Sequence, residues 1–344
     1  MGLKQMSKVL PTNKKMPGIL DPDQAQTLLS EGWQAADLHV HTLHSYDVIP
    51  TPQVDPLTLY RKAKQLGMTH IAFTDHDSMD AYDQIGWTRE GLVPAVEIKI
   101  LDPKKVGHTI HINVFALNRG QFFEILKIAR IAKDIEQLVT YLKDEHLPFI
   151  FNHPFWHEPG EALNLQAILD IVDLFPVLEY NMGRIARINR QALRLAEARG
   201  RSIVATTDTH IGEIGRAFSI ARGSTFMEFF DQIRLGQSFI VPADLTLSRL
   251  KGETTIRIRQ LFNKEGWIYP KDSLAIDTGS TILDGIITRL AKARPDKPGI
   301  AKKILEIILE TASRTGIPGS LYFRSQRNLA DQIHGLLESI DAAA

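Results

Sequence analysis

Two histidines one residue apart, in Asp37-Leu38-His39-Val40-His41-Thr42, are the first residues of the chain whose type and spacing could do chemistry. The segment Ala35-Ala36-Asp37-Leu38 runs straight into them. If it is a strand, His39 and His41 point to the same face, because side chains alternate with period two. Neutral imidazole is the commonest nitrogen donor for zinc, iron and manganese. An isolated His-x-His is more often a surface pair at a strand end, so the metal reading needs further ligands at matching structural places.

Those residues follow along the chain. Asp47 comes a few positions later. His76 lies in Thr74-Asp75-His76-Asp77, and Glu97 in the otherwise apolar Val93-Pro94-Ala95-Val96-Glu97-Ile98. His111 lies in His111-Ile112-Asn113-Val114, and His153 in Asn152-His153-Pro154. Asp208 and His210 close the series in Thr207-Asp208-Thr209-His210. Together they are six of the twelve histidines and three carboxylates. A purely structural role for so many polar groups in one place is hard to propose, and a polynuclear metal site is the stronger reading.

Elements must bring these residues together. Residues 1–34 read as a polar lead-in with one short helix, Pro22–Ser30, capped by Asp21. From Ala35 strands and helices alternate. Strands are expected to end at His41 and over 68–74, 92–98, 109–116, 148–152, 175–180 and 202–207. Helices are expected over 56–66, 163–171, 185–199 and 227–235, and one long helix over 121–146 on a 3.6-residue apolar rhythm. A last extended piece falls at 239–241. Repeated strand–helix units imply parallel strands with helices outside. A closed or nearly closed barrel follows, with its chemistry at the carboxyl ends of the strands. Residues 35–245 would form it. Residues 246–344 read as a separate, mainly helical region with a short strand around Arg257-Ile258-Arg259 and helical patterns at 282–290, 304–309 and 329–340.

Bulk composition bounds the partners. The 344 residues are 44% hydrophobic and 23% charged, with zero formal net charge. This is an ordinary globular composition without a global field toward nucleic acid or anionic lipid. The absence of cysteine excludes disulfides and thiolate metal sites and leaves histidine and carboxylate as ligands. No signal peptide is read at the N-terminus and no apolar run approaches the ~20 residues of a membrane span. A cytoplasmic location without membrane contact is the expectation. Residues 249–344 carry 15 Lys/Arg against 11 Asp/Glu, an excess more typical of a solvated face than of a nucleic-acid patch.

Over roughly residues 36–222 the sequence resembles the PHP (polymerase and histidinol phosphatase) superfamily of metal-dependent phosphoesterases. The 37–42 run looks like its first motif, 74–77 its second, 152–154 an intermediate one and 207–210 its last. The resemblance implies a distorted (β/α)7 TIM-like barrel and two or three divalent ions (zinc, manganese or iron). One ion would take His39, His41, Glu97 and Asp208. A second would share Glu97 and take His111 and His153. A third would take Asp47, His76 and His210. Many members place the acid directly after the serine as Ser-Asp-Gly. Here the run is Ser45-Tyr46-Asp47-Val48, so His44 is the substitute for Asp47. His70, His108, His146, His157 and His334 read as surface or satisfied interior residues, with His157 the one to watch beside His153.

Two metals ~3.5–4 Å apart and bridged by one carboxylate can activate a water and hold both in-line oxygens of a phosphoryl displacement. A metal-activated hydroxide would attack phosphorus, and Asp208 or His210 would protonate the leaving group. Arg184 after the sixth strand and Arg216 after His210 are candidate forks for the substrate phosphate. Glu179 and Asn181 are left as a supporting layer. The expected substrate is a phosphomonoester of a small metabolite or nucleotide, or a nucleotide phosphodiester, with nucleic acid included. An amidohydrolase also begins with His-x-His, but typically bridges its metals with a carboxylated lysine on strand four, where this chain has His111. A metal-stabilised, non-catalytic binding module is the remaining alternative.

Overall fold

In a computed structural model the chain is described over residues 16–158, 160–262 and 300–341. The expected helical pattern at 282–290 and the first part of the lead-in, 1–15, lie outside the described residues. Eleven strands among them form two sheets. The first runs, in spatial order, β1 (Gly18–Ile19), β11 (Ser238–Val241), β10 (Phe218–Ala221), β2 (Gln34–Asp37), β3 (His70–Ala72), β4 (Leu92–Val93). The second runs β5 (Ala95–Leu101), β6 (Thr109–Phe115), β7 (Phe149–Phe151), β8 (Val177–Asn181), β9 (Ser202–Thr206). The architecture is mixed α/β.

The expectation of an all-parallel sheet is corrected here. β2–β3–β4 and β7–β8–β9 are parallel, but β6 is antiparallel to both β5 and β7, and β10 to both β2 and β11. The connection from β5 to β6, Asp102–His108, is too short for the crossover that a parallel pair needs. Val106 and Gly107 donate backbone hydrogen bonds to the Asp102 carbonyl and close it as a hairpin loop.

The single strand expected over 92–98 is also divided. Pro94 has no N–H to give a ladder, so β4 pairs with the first sheet and β5 with the second. Tyr82, wholly buried, joins the two sides of this break. Its hydroxyl accepts from Phe73 N and Ala95 N, both at 2.9 Å, and shares its proton between the carbonyls of Phe73 (2.7 Å) and Val93 (2.8 Å). The two sheets touch again at one rim, through isolated parallel bridges Val40↔Thr209 and His76↔Glu97.

The long helix expected over 121–146 is two helices, Arg119–Lys127 and Ile135–Asp144, separated by a wide turn at Ile128–Ala132. Lys133 takes the left-handed conformation (φ 52°), and Asp134 caps the second helix by accepting from Glu136 N and Gln137 N. The apolar rhythm runs on across the break because both helices bury the same side, Phe122 and Ile125 on one, Leu138 and Leu142 on the other. Arg257-Ile258-Arg259, expected as a strand, lies inside the helix Leu247–Phe262. Two further helices, Ile300–Thr315 and Ile317–Asp341, follow. The second puts Ala330, Ile333 and Leu337 into the main core and adds an Arg187–Asp331 ion pair at 2.9 Å.

Period-two geometry explains where polar groups gather. Ala36 and Leu38 from β2 and its exit meet Ala72, Val93, Ala95, Phe115, Ile150, Val177 and Val204 in one buried cluster drawn from both sheets. Moving two residues along β5 to β9 toward the same rim replaces this apolar layer by Glu97, Asn113, Asn152, Glu179 and Thr206, all buried. A further two residues bring Lys99, His111, Asn181 and Asp208. Apolar floor, polar middle and ligand rim are successive rungs of the same strands. No helix among the described residues is long and apolar enough to cross a membrane.

Candidate metal centre

Glu97 stands at the middle of the rim and is fully buried. Its Oε2 lies 3.1 Å from His39 Nε2, 3.2 Å from His41 Nε2 and 3.2 Å from His76 Nδ1. Its Oε1 lies 3.0 Å from His111 Nδ1 and 3.3 Å from His153 Nε2, and accepts from Asn152 Nδ2 at 2.8 Å. One carboxylate thus faces five imidazoles. Asp208 Oδ1 lies 3.3 Å from His39 Nε2 and 3.2 Å from His41 Nε2. Asp47 Oδ2 lies 2.7 Å from His210 Nε2 and 3.4 Å from His76 Nε2.

All nine residues singled out by sequence as ligands are therefore brought together: His39, His41, Asp47, His76, Glu97, His111, His153, Asp208 and His210. Their donor atoms fall into four overlapping groups, each within 4.8 Å: His41 with Asp47, His76 and His210; His39 with His41 and Glu97; His39 with His153 and Asp208; His76 with Glu97 and His111. His41 and His76 thus reach across the divisions that the resemblance implies. Asp47 joins the cluster, whereas His44 turns away to Gln84, 2.6 Å from its amide oxygen.

The residues fit divalent cations by their own chemistry. His39 Nε2 and His41 Nε2 face each other at 3.1 Å with carboxylate oxygens around them. Glu179 Oε1, 2.7 Å from His39 Nδ1, accepts a hydrogen bond from that nitrogen and so leaves Nε2 as the ring atom that faces the cluster. His41 Nδ1 and His111 Nε2 are buried without a hydrogen bond; His76 Nδ1 also lacks one, although a Glu97 oxygen lies 3.2 Å away. Burial opposes charge here; at His76 and His153 it wins and lowers the imidazole, whereas at His39, His41 and the carboxylates mutual attraction prevails. His39 is held well above the usual imidazole range by Glu97 and Asp208, and His41 is pushed up to about 10 by Asp208 and Glu97. Glu97, Asp47 and Asp208 are held well below the usual carboxylate range by the histidines around them. Such a site draws in positive charge, and six imidazoles with three carboxylates suit zinc, manganese or iron.

Supporting residues fix this geometry. Glu179 Oε1 also accepts from Thr206 Oγ1 at 2.5 Å, and its Oε2 from His153 N at 2.6 Å and Asn181 Nδ2 at 3.0 Å. Asn181 donates onward to Asp208 Oδ2 at 3.0 Å. Asp37 accepts from Thr207 N, Thr207 Oγ1 and Gly215 N, tying the exit of β2 to that of β9. Burial pushes its carboxyl up to about 6 against those bonds. Asp75 does the same for the first loop, accepting from Thr42 N and Oγ1, both at 2.6 Å.

Of the two arginines singled out, Arg184 stands at the rim. Its guanidinium carbon is 5.5 Å from the centroid of the Trp156 ring, which in turn packs on His111 and His153, and its Nε has no hydrogen-bond partner. Arg216 is not brought there. It pairs with Glu213 at 3.1 Å and is 63% exposed. Among the remaining histidines, His70 lies 2.6 Å from Gln34 Oε1, and His157 Nδ1 is 3.0 Å from the carbonyl of Glu158.

Sequence reading missed Lys99 and Glu158. Lys99 donates to Tyr46 Oη and, at 2.7 Å, to Glu158 Oε1, which lies 3.5 Å from His111 Nε2. Burial raises the Glu158 carboxyl, but the nearby His111 ring and the charge of Lys99 bring it down to about 2. The signal for Lys99 was present: it follows Glu97 by two residues in a strand and so shares its face.

No protein-family model and no curated protein matches the sequence. Among solved structures, the chain is similar to PsfC from Pseudomonas syringae, at 18% identity and a TM-score of 0.46 over 63% of this chain and 93% of that one. It is similar to the lesion-specific endonuclease PfuEndoQ from Pyrococcus furiosus, at 14% identity and a TM-score of 0.44 over 75% and 82%. A third structure, provisionally named a metal-dependent phosphoesterase, comes from Bifidobacterium adolescentis, at 16% identity and a TM-score of 0.36 over 52% and 90%.

Proposed function

We propose that this chain is a metal-dependent phosphoesterase of the PHP type, acting on a phosphomonoester of a small metabolite or nucleotide or on a nucleotide phosphodiester. The observation that carries the reading is the placement of Glu97, whose two oxygens each face at least two imidazoles in a fully buried position. A carboxylate so placed would offer one oxygen to a cation on either side. Ions held there would supply an activated water and neutralise phosphoryl oxygens.

The chain's own residues do the rest in this reading. His39, His41, Glu97 and Asp208, with His111, His153, Asp47, His76 and His210, hold the ions. Arg184, whose guanidinium lies over the Trp156 ring that packs on His153, takes a non-bridging oxygen of the substrate. His210, whose Nδ1 is 3.7 Å from Asp208 Oδ1, delivers the proton to the leaving group, since Asp208, held ionised by the histidines around it, has none to give. Residues 35–245 are taken as the catalytic unit, with 1–34 as lead-in and 246–344 as a mainly helical appendage. The unit is read as a distorted (β/α)7 barrel. What supports this is the cluster with members from both sheets and the two bridges at the site rim.

The test is release of nitrophenol from p-nitrophenyl phosphate and from its bis-ester after loading with manganese or zinc. Metal-dependent turnover of either is expected, and preference for one separates monoesterase from diesterase. Turnover of a cyclic amide or lactone in place of both esters would overturn the reading.

A further inference from the structure

Lys99 is an unusual neighbour for a cation site. Along β5 it lies on the same face as Glu97, and in the ladder it sits opposite His111. Its side chain is only 24% exposed, and that of Glu158 only 20%. An ammonium so withdrawn from water needs an anion, and Glu158 supplies it. Yet the same Oε1 lies 3.5 Å from His111 Nε2, a buried ring nitrogen without a hydrogen bond. Glu158 thus stands between a metal-ligating ring and a fixed cation. On the other side of Lys99, the Tyr46 ring centroid is 4.4 Å from Nζ, and that ring packs against His76 at 5.0 Å.

We propose that Lys99 is a specificity-determining cation for a phosphoryl group and that the Glu158 carboxylate is its placeholder, displaced when the phosphoryl group enters. This rests on the phosphoesterase reading and adds to it a residue and an exchange. Two anions cannot share the space between His111 and Lys99, so a phosphate dianion exchanges with the carboxylate. Lys99 passes from one oxygen anion to another without losing its partner. Tyr46, whose hydroxyl accepts from Nζ and whose ring lies beneath it, fixes where the ammonium points. The exchange also sets a threshold: a neutral ester or amide offers Lys99 no compensating charge, so it leaves Glu158 in place.

The experiment is calorimetric titration of inorganic phosphate into manganese-loaded protein, with metal content measured on the same samples. Four proteins are compared: the parent, Glu158→Gln, Lys99→Met and the double variant. Removing a charge-assisted bond to Lys99 should weaken phosphate binding about tenfold or more. Removing the competing carboxylate in Glu158→Gln should tighten binding, and the double variant should bind as weakly as Lys99→Met, with equal metal content in all four. Phosphate affinity unchanged in both Lys99→Met and the double variant overturns the proposal. So does loss of metal in Glu158→Gln, which would make Glu158 a ligand, and so does a parent that binds no phosphate. If the parent hydrolyses esters while phosphate affinity ignores Lys99, this inference alone falls. If phosphate binding follows Lys99 but neither ester is hydrolysed, the proposed function alone falls.

Discussion

Replacing Glu179 by glutamine tests whether the supporting layer sets the metal affinity. The carboxylate accepts four hydrogen bonds: two on Oε1, from His39 Nδ1 and Thr206 Oγ1, and two on Oε2, from His153 N and Asn181 Nδ2. Glutamine keeps one acceptor oxygen and turns the other into a donor. Whichever way the amide is placed, two donors face its NH2 group. Each buried donor left without an acceptor costs about 1–3 kcal/mol, so the metal-free protein should lose about 2–6 kcal/mol before relaxation. The effect on metal is separate. If the amide NH2 meets His39 Nδ1, the ring protonates on Nε2 and no longer offers its lone pair, a change of the kind that lowers metal affinity about 10–100-fold. The assay is zinc or manganese titration against a chelator of known affinity, run beside urea unfolding of the metal-free protein. A stability loss with affinity within twofold of the parent would show that Glu179 only supports the fold. No change in either measurement would refute the reasoning outright.

Three further outcomes are expected. Burial and the nearby Lys64 hold His70 down to about 4. The native state thus favours its neutral form, and this stabilisation is full above the unfolded value of 6.5 and fades as pH falls toward 4. The parent should lose about 2 kcal/mol more than His70→Gln between about pH 7 and pH 4, by urea unfolding in chelator; parallel losses would refute the assignment. Tyr82→Phe strips four backbone groups at the β3–β4–β5 junction of their shared partner and should cost about 2–4 kcal/mol. Metal content is expected to stay intact, and a cost under about 0.5 kcal/mol would show that water replaces the hydroxyl. Arg216→Ala should leave kcat/KM within about twofold and stability within about 0.5 kcal/mol, since an exposed ion pair contributes little; a large rise in KM would place it back at the site.

Much of the site could be read before any coordinates, because its ligands cluster where strands end and strand ends are marked by local composition. His39, His76, His153 and Asp208 each follow a short apolar run, and the run predicts the exit. Pairing direction was not readable in the same way. Whether β6 runs with or against β5 depends on the length and closure of Asp102–His108, while the strand faces read alike in both arrangements. The helix break at Lys133 escaped because the buried positions keep their rhythm through it. Arg216 was placed by its nearness in sequence to His210, but Glu213 sits on the same turn and captures it. Lys99 was legible by alternation from Glu97. Glu158 was not, since nothing local says that a loop carboxylate will reach back to a strand.

The backbone carries one more consequence. Asp77, His153 and Asp208 sit just past β3, β7 and β9 with φ of 48°, 24° and 50°, a region that non-glycine residues enter at a cost of about 1–2 kcal/mol. Asparagine tolerates this conformation and glycine welcomes it, whereas valine or threonine would not. Replacing Asp208 by glycine would relax the chain there, but it would also strip His39 Nε2, His41 Nε2 and Asn181 Nδ2 of the carboxylate they face, so backbone ease and site pairing are set against each other at one residue.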